Sequence, residues 1–118
     1  MAQFDVHRNK GAQREAIPFV VSVQSAQFDR YRRRVVVPLV RRAAMPGATA
    51  ALAGTRMNPV FTIEGEALVL HPLDVVSVAL DQLGDRVGSL AESGQQIADA
   101  MDERKRAINH VLLASPLT

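Results

Sequence analysis

Residues 17–24 read IPFVVSVQ. Ile17, Phe19, Val21 and Val23 recur with a period of two, which predicts a β-strand buried on at least one face. Upstream, Phe4 and Val6 among polar neighbours predict a shorter strand. The connection GAQREA at 11–16 is polar and flexible, so the two strands read as a hairpin. Downstream, VVVPLV at 35–40 is rich in branched apolar residues but carries Pro38, which has no N–H to give to a ladder. The expectation is an edge or bulged strand that breaks at the proline.

Further along, RRAAMPGATAALAGTR at 41–56 mixes alanine with Pro46, Gly47 and Gly54, and fits either an irregular loop or one weak helical turn. In FTIEGEALVL at 61–70 two apolar runs flank Glu64 and Gly65, and a glycine there supplies the positive backbone angle of a tight hairpin. After the His71-Pro72 break, VVSVAL at 75–80 predicts the strand that closes the sheet, for roughly five or six strands in all. From Gln95 the period changes. Ile97, Ala100, Met101, Arg104, Ile108, Val111 and Leu112 recur three or four residues apart, the face of a helix that only Arg104 interrupts. Ser93 is the expected cap, acids precede bases along DAMDERKR, and ASPLT at 114–118 reads as a stop and a tail. With no internal repeat, the fold class is mainly β (α+β): one antiparallel sheet or barrel with one C-terminal α-helix.

At 118 residues, 47% of them hydrophobic and 22% charged, the chain fits one globular domain spanning 1–118. The absence of cysteine excludes disulfides and thiolate metal sites and suits a reducing compartment, so the cytoplasm is expected. An acid at Asp5 interrupts any signal sequence, and no apolar run approaches the ~18 residues of a membrane span. Fourteen residues are basic, of which only Lys10 and Lys105 are lysine, and the net charge is +2. Arginines gather at Arg30, Arg32, Arg33, Arg34, Arg41 and Arg42. That patch fits attraction of an acidic partner or a nucleic acid, and equally a solvated strand edge that resists aggregation.

Sites for chemistry are scarce. His7, His71 and His110 lie far apart in sequence, each without a second ligand at metal-binding spacing, so no metal or cofactor is expected. No phosphate-cradling glycine motif or nucleophile elbow is present. Glu64 and Glu66 flank a turn and read as solvated hairpin residues rather than an acid/base pair. Four phenylalanines and Tyr31 are too few and too strand-bound for a nucleic-acid stacking platform. The residues alone leave a binding module of unknown partner.

QFDVH at 3–7, FVVSVQS at 19–25, RRVVVPL at 33–39 and NPVFTIEGEALVLHPLDVVSVA at 58–79 resemble, in order and spacing, the CcdB family. These are the toxin halves of type II toxin–antitoxin modules, associated with plasmid maintenance. The resemblance implies an SH3-like barrel of the CcdB/MazF kind with a small accessory sheet. It also implies a symmetric homodimer without catalysis that binds the DNA gyrase A subunit and poisons the topoisomerase, with a CcdA-like acidic antitoxin as second partner. Neither a membrane nor sequence-specific nucleic acid is implied as a partner.

By the same resemblance, the gyrase-binding residues are Ser25, Gln27 and Phe28 after the VQ run, with Asp102, Arg106, Ala107 and Ile108 at the helix end. That ungapped register leaves residues 109–118 as a C-terminal extension. A register with a seven-residue insertion moves the second set to Asn109, Leu113, Ala114 and Ser115. Neither register supplies the aromatic, glycine and apolar ending typical of the family. Arg8, Lys10 and Arg14 in the first loop are candidates for the antitoxin, or simply solvated loop residues. The alternatives are a relative that has lost gyrase poisoning and binds antitoxin as a decoy, and a MazF-type endoribonuclease on the same barrel.

Overall fold

The computed structural model describes residues 2–45 and 47–114, including the backbone but not the side chains at 48–49 and 109–114. Seven strands follow in order: β1 Asp5–Asn9, β2 Phe19–Ser22, β3 Arg33–Arg41, β4 Val60–Ile63, β5 Glu66–Leu70, β6 Val76–Ala79 and β7 Leu83–Ser89. One helical turn, α1 Gly47–Ala50, lies between β3 and β4, and the long helix α2 Gly94–Ala114 ends the chain. All strand pairs are antiparallel, in the order β4-β5-β3-β2-β1-β7, with β6 also on β3. The sheet curls into a half-barrel with the helix against it. The accessory piece is the β4–β5 hairpin, hydrogen-bonded to the end of β3 and so continuous with the main sheet.

Of the stretch at 17–24 the strand is Phe19–Ser22, and Phe19, Val21 and Val23 share one face as the pattern predicts, whereas Ile17 lies before the strand and packs on the other cluster. Phe19 pairs with Leu39 and Val21 with Val37, and all four join Val6, Leu68, Leu70, Ile97 and Ala100 in the core beneath α2. Alternate residues face the other way, where Val40, Met45 and Val69 form a second, smaller cluster with Ile17 and Val60 around it. At the β4–β5 turn Glu64 and Gly65 have φ of +51° and +80°. Two successive positive angles make the tight hairpin geometry whose twist matches its strands.

Three expectations are corrected. β3 does not break at Pro38: the strand runs through it, and its neighbour breaks instead. Even-numbered residues of β3 turn their backbone groups toward β6 at Val36 and β5 at Val40, and between these Pro38 meets only the His71 N–H, which donates to its carbonyl at 3.1 Å. The proline's missing donor therefore costs no ladder bond. Second, β7 was not expected at all, and it, rather than β6, pairs with β1. Third, α2 is not capped by Ser93. The chain enters it through a 3-10 turn at Ala91–Ser93, with Ser89 Oγ accepting from the Ala91 N–H at 3.1 Å.

Along α2 the apolar face is buried only at first. Ile97 and Ala100 are fully buried, Met101 and Arg104 half-buried, and Ile108 is 37% exposed. Arg56 ties the loop between α1 and β4 to this helix through Asp99 (3.7 Å) and Glu103 (3.5 Å). Val111 and Leu112 of the expected stripe fall on side chains outside the described residues. Replacing Ile97 by Ala is expected to cost about 2–4 kcal/mol through the cavity it leaves. Ile108→Ala is expected to cost less than ~0.5 kcal/mol. Chemical denaturation of the two variants checks this, and equal losses would show that the helix is seated along its whole length.

Candidate functional site

Between β2 and β3 the chain makes a short excursion around a 3-10 turn at Ala26–Phe28. Its shape is set from below by Arg34, which is only 5% exposed. The guanidinium donates to the carbonyls of Asp29 (2.5 Å), Arg33 (3.0 Å) and Tyr31, and lies 3.8 Å from the Asp29 carboxylate. A buried charge needs partners for its donors, and here the loop backbone takes those of Nη1 and Nη2, while Nε has only the more distant Asp29 carboxylate beside it. From the side, Gln24 donates to the Phe28 carbonyl and accepts from the Val35 N–H, each at 3.0 Å. The clamped loop presents Gln27 and Phe28 to solvent with Ser25 half-buried, Phe28 being 42% exposed. Tyr31 stands beside it, 59% exposed, with ring centroids 6.1 Å apart. The expectation that the aromatic residues are strand-bound is thus wrong for these two.

The first-loop cations also come together. Arg8, Lys10 and Arg14 line one open depression with Asn9, Leu83, Gly84 and Asp85. Lys10 is placed by its N–H donating to the Gln82 carbonyl at 3.0 Å, and Arg14 by a turn onto the Gly11 carbonyl at 3.3 Å. Gly84 permits the close approach of β7, since a Cβ there would lie 2.9 Å from Arg8 Cβ. Arg8 is partly engaged: it pairs with Glu64 at 2.7 Å and lies over the Phe19 ring. Both members of that pair are about half exposed, so water and salt screen it and leave Arg8 able to exchange partners.

On α2, Asp102 and Arg106 are exposed, Ala107 is half-buried, and Arg106 lies 3.2 Å from Glu103. Among the described residues the helix packs chiefly on the 3-10 turns at Pro72–Asp74 and Ala91–Ser93 rather than on the 25–28 loop. The two sets of residues expected to bind gyrase thus lie on elements, the 25–28 loop and α2, that are not packed broadly on one another. Of the alternative register, the side chains of Asn109, Leu113 and Ala114, and all of Ser115, lie outside the described residues.

The arginine cluster divides. Arg34 is buried, Arg33 is bonded to Ser77, and Arg41 pairs with Glu66 at 2.6 Å at the far end of the strand. Arg30, Arg32 and Arg42 remain exposed. Sequence reading missed the clamp, although counting by twos from buried Val36 and Val40 puts Arg34 on the same side of the strand as these two buried residues. Glu64 and Glu66 are each held in an ion pair. His7 Nδ1 lies 3.1 Å from the Gly84 carbonyl and His71 Nδ1 lies 3.2 Å from Asp74, and the His110 side chain is outside the described residues. Among the described residues no three His, Asp or Glu side chains converge as metal ligands, and no helix is long and apolar enough to cross a membrane.

Among solved structures, the fold is similar to the Mycobacterium tuberculosis toxin MazF-mt6, with a TM-score of 0.65 and 12% identity over 86% of this chain and 96% of that one. It is equally similar to an endoribonuclease in complex with its cognate antitoxin from Mycobacterial species, with a TM-score of 0.66 and 14% identity over 100% of this chain and 99% of that one. At such identities the likeness concerns the fold. No curated protein sequence matches. The CcdB protein family matches residues 3–104, which include the clamped loop, the basic depression and the buried turns of α2. The chain belongs to the CcdB family, toxins of toxin–antitoxin modules.

Proposed function

We propose that this protein is a non-enzymatic cytoplasmic toxin of a type II module that acts as a homodimer on the DNA gyrase A subunit and is neutralised by a CcdA-like antitoxin. The observation that carries the reading is the loop at 25–28: family membership draws attention to it, and Arg34 and Gln24 hold it rigid with Phe28 outward. A pre-ordered loop spares the entropy that binding otherwise costs. Leu73, Val76 and Leu80, all exposed, supply apolar surface for a two-fold partner to cover. The depression at Arg8, Lys10 and Arg14 suits an acidic antitoxin segment that folds as it binds. The structural neighbour solved with its cognate antitoxin supports a partner of that kind.

One observation favours a second reading. At the positions that the ungapped resemblance matches to the family's helix ending, this chain has Arg106, Ala107 and Ile108, without an aromatic or glycine, and α2 runs on past them to Ala114, which suits a decoy that retains antitoxin binding alone. The endoribonuclease reading gains little, because Glu64 and Glu66 are held in ion pairs on a hairpin.

Expression without antitoxin is expected to arrest growth, with relief by gyrase A subunit variants resistant to the family. Purified protein is expected to make gyrase accumulate cleaved DNA, and Phe28→Ala to weaken gyrase binding by about tenfold or more, the usual loss of an interfacial aromatic anchor. Normal growth with no gyrase-dependent cleavage selects the decoy; cleavage of RNA by the protein alone selects the nuclease.

For the antitoxin, replacing Arg8, Lys10 and Arg14 together by Gln is expected to slow association several-fold at low salt and to shrink the difference near physiological salt, where the Debye length is about 8 Å. Stopped-flow measurement across ionic strength checks this. Rates that match the parent protein at every salt concentration would remove these three residues from the interface.

A further inference from the structure

From 28 to 34 the sequence reads FDRYRRR, with rings and guanidinium groups interleaved. The structure puts several of them around one shallow slot lined by Gln24, Phe28, Tyr31, Arg33, Val35 and Ser77, of about 350 Å³. Its walls are two exposed rings and an apolar side chain, and Arg30 and Arg32 are exposed on the same loop. Arg33 is fixed: Nε donates to Ser77 Oγ at 2.9 Å and Nη2 to the Ser77 carbonyl at 2.5 Å.

We propose that this slot binds single-stranded nucleic acid without sequence preference, bases stacking on Tyr31, Phe28 and the Arg33 plane while phosphates lie near Arg30 and Arg32. The inference goes beyond the toxin action above and does not depend on it. Three features select this ligand. Exposed rings stack on any base, because every base has a π-face. Second, the Nε/Nη2 edge of Arg33, which would chelate a carboxylate, is already occupied by Ser77, so a ligand meets mainly its plane and its charge. A carboxylate is left only the Nη1/Nη2 end, whereas a base uses the plane and finds two rings in the same slot. Third, a duplex buries the faces of its bases between neighbours and offers this slot only phosphates.

Tyr31 is the only tyrosine and the chain has no tryptophan, so intrinsic fluorescence reports on the proposed stacking residue alone. Titrating the full-length protein with oligo-dT or oligo-U of about 12 nucleotides is expected to quench this emission saturably, beyond the inner-filter loss of free N-acetyltyrosinamide. Contact with two or three phosphates gives a slope of log K against log salt of roughly −1.4 to −2. In anisotropy with labelled oligonucleotide, Tyr31→Ala is expected to weaken binding by at least about fivefold and Tyr31→Phe to restore it. Arg32→Gln is expected to flatten the salt slope. Circular dichroism melts of each variant confirm the fold, and the Tyr31→Phe comparison stands even where Tyr31→Ala loses stability. Absence of quenching, unchanged binding by folded Tyr31→Ala, equal affinity for a duplex of the same length, or competition by poly-glutamate as strong as by the oligonucleotide would each overturn the proposal.

Discussion

The hydrogen-bonding demand of β3 governs this structure. Nine residues long, it has β2 on one edge, and on the other edge it changes partner partway, from β6 along Arg33–Val36 to β5 along Leu39–Arg41. Buried backbone groups must be paired, so a change of partner is tolerable only where little is left to pair. Pro38 sits at that seam with no N–H, and its carbonyl takes the His71 N–H as the chain turns through Pro72–Asp74 from β5 to β6. The switch lets one strand hold the hairpin β4–β5 and the strand β6 without a second sheet. A residue with a free N–H at 38 would present a donor to a gap between two strand ends.

The same strand joins scaffold to surface. On the side of β3 turned away from the α2 core, the buried positions continue past Val36 to Arg34, which bonds to a set of backbone carbonyls in the loop above. Burial of the guanidinium and order in the loop are thus one event. The loop cannot leave without exposing an unsatisfied charge to a half-dry pocket, and Arg34 cannot leave without releasing the carbonyls. Lysine would not replace it, because a single ammonium lacks the planar fork that reaches separate carbonyls at once. The rigidity of Phe28 and Tyr31 on the surface is therefore inherited from the strand.

What could be read from the sequence follows from how local the deciding physics is. The stretch at 17–24 and the hairpin at 61–70 were legible because period-two burial and a turn needing positive φ are written in adjacent residues. The start of α2 was legible for the same reason, from Ile97 and Ala100. β7 was not: Leu83–Ser89 carries two glycines, an acid and a base, and its extended form is imposed by β1, to which it is joined through the ion pair of Arg86 with buried Asp5 at 3.1 Å. Gly84 reads as a breaker in sequence and serves as a point of close approach in space. The arginine run misled in another way, since charge count says nothing about direction, and alternate residues of a strand point to opposite faces. Of the candidate site, the gathering of Arg8, Lys10 and Arg14 was legible as a loop cluster, whereas the Arg34 clamp needed the sheet to reveal which arginine was inside.

Direction also explains how a chain of modest net charge presents exposed clusters of cations. Charges that neutralise one another, Arg8 with Glu64 and Arg41 with Glu66, lie on β1, β3 and the β4–β5 hairpin. Arg56 with Asp99 and Glu103 spends two acids against the helix. These acids are taken up in ion pairs, while Lys10, Arg14, Arg30 and Arg32 are exposed in turns where strands change direction. A field formed this way acts over about a Debye length and falls with salt, so it steers anionic partners toward the loops without fixing them there. Fixing them falls to short-range contacts, and on this molecule the loop that Arg34 holds brings the exposed rings of Phe28 and Tyr31 beside the exposed Arg30 and Arg32.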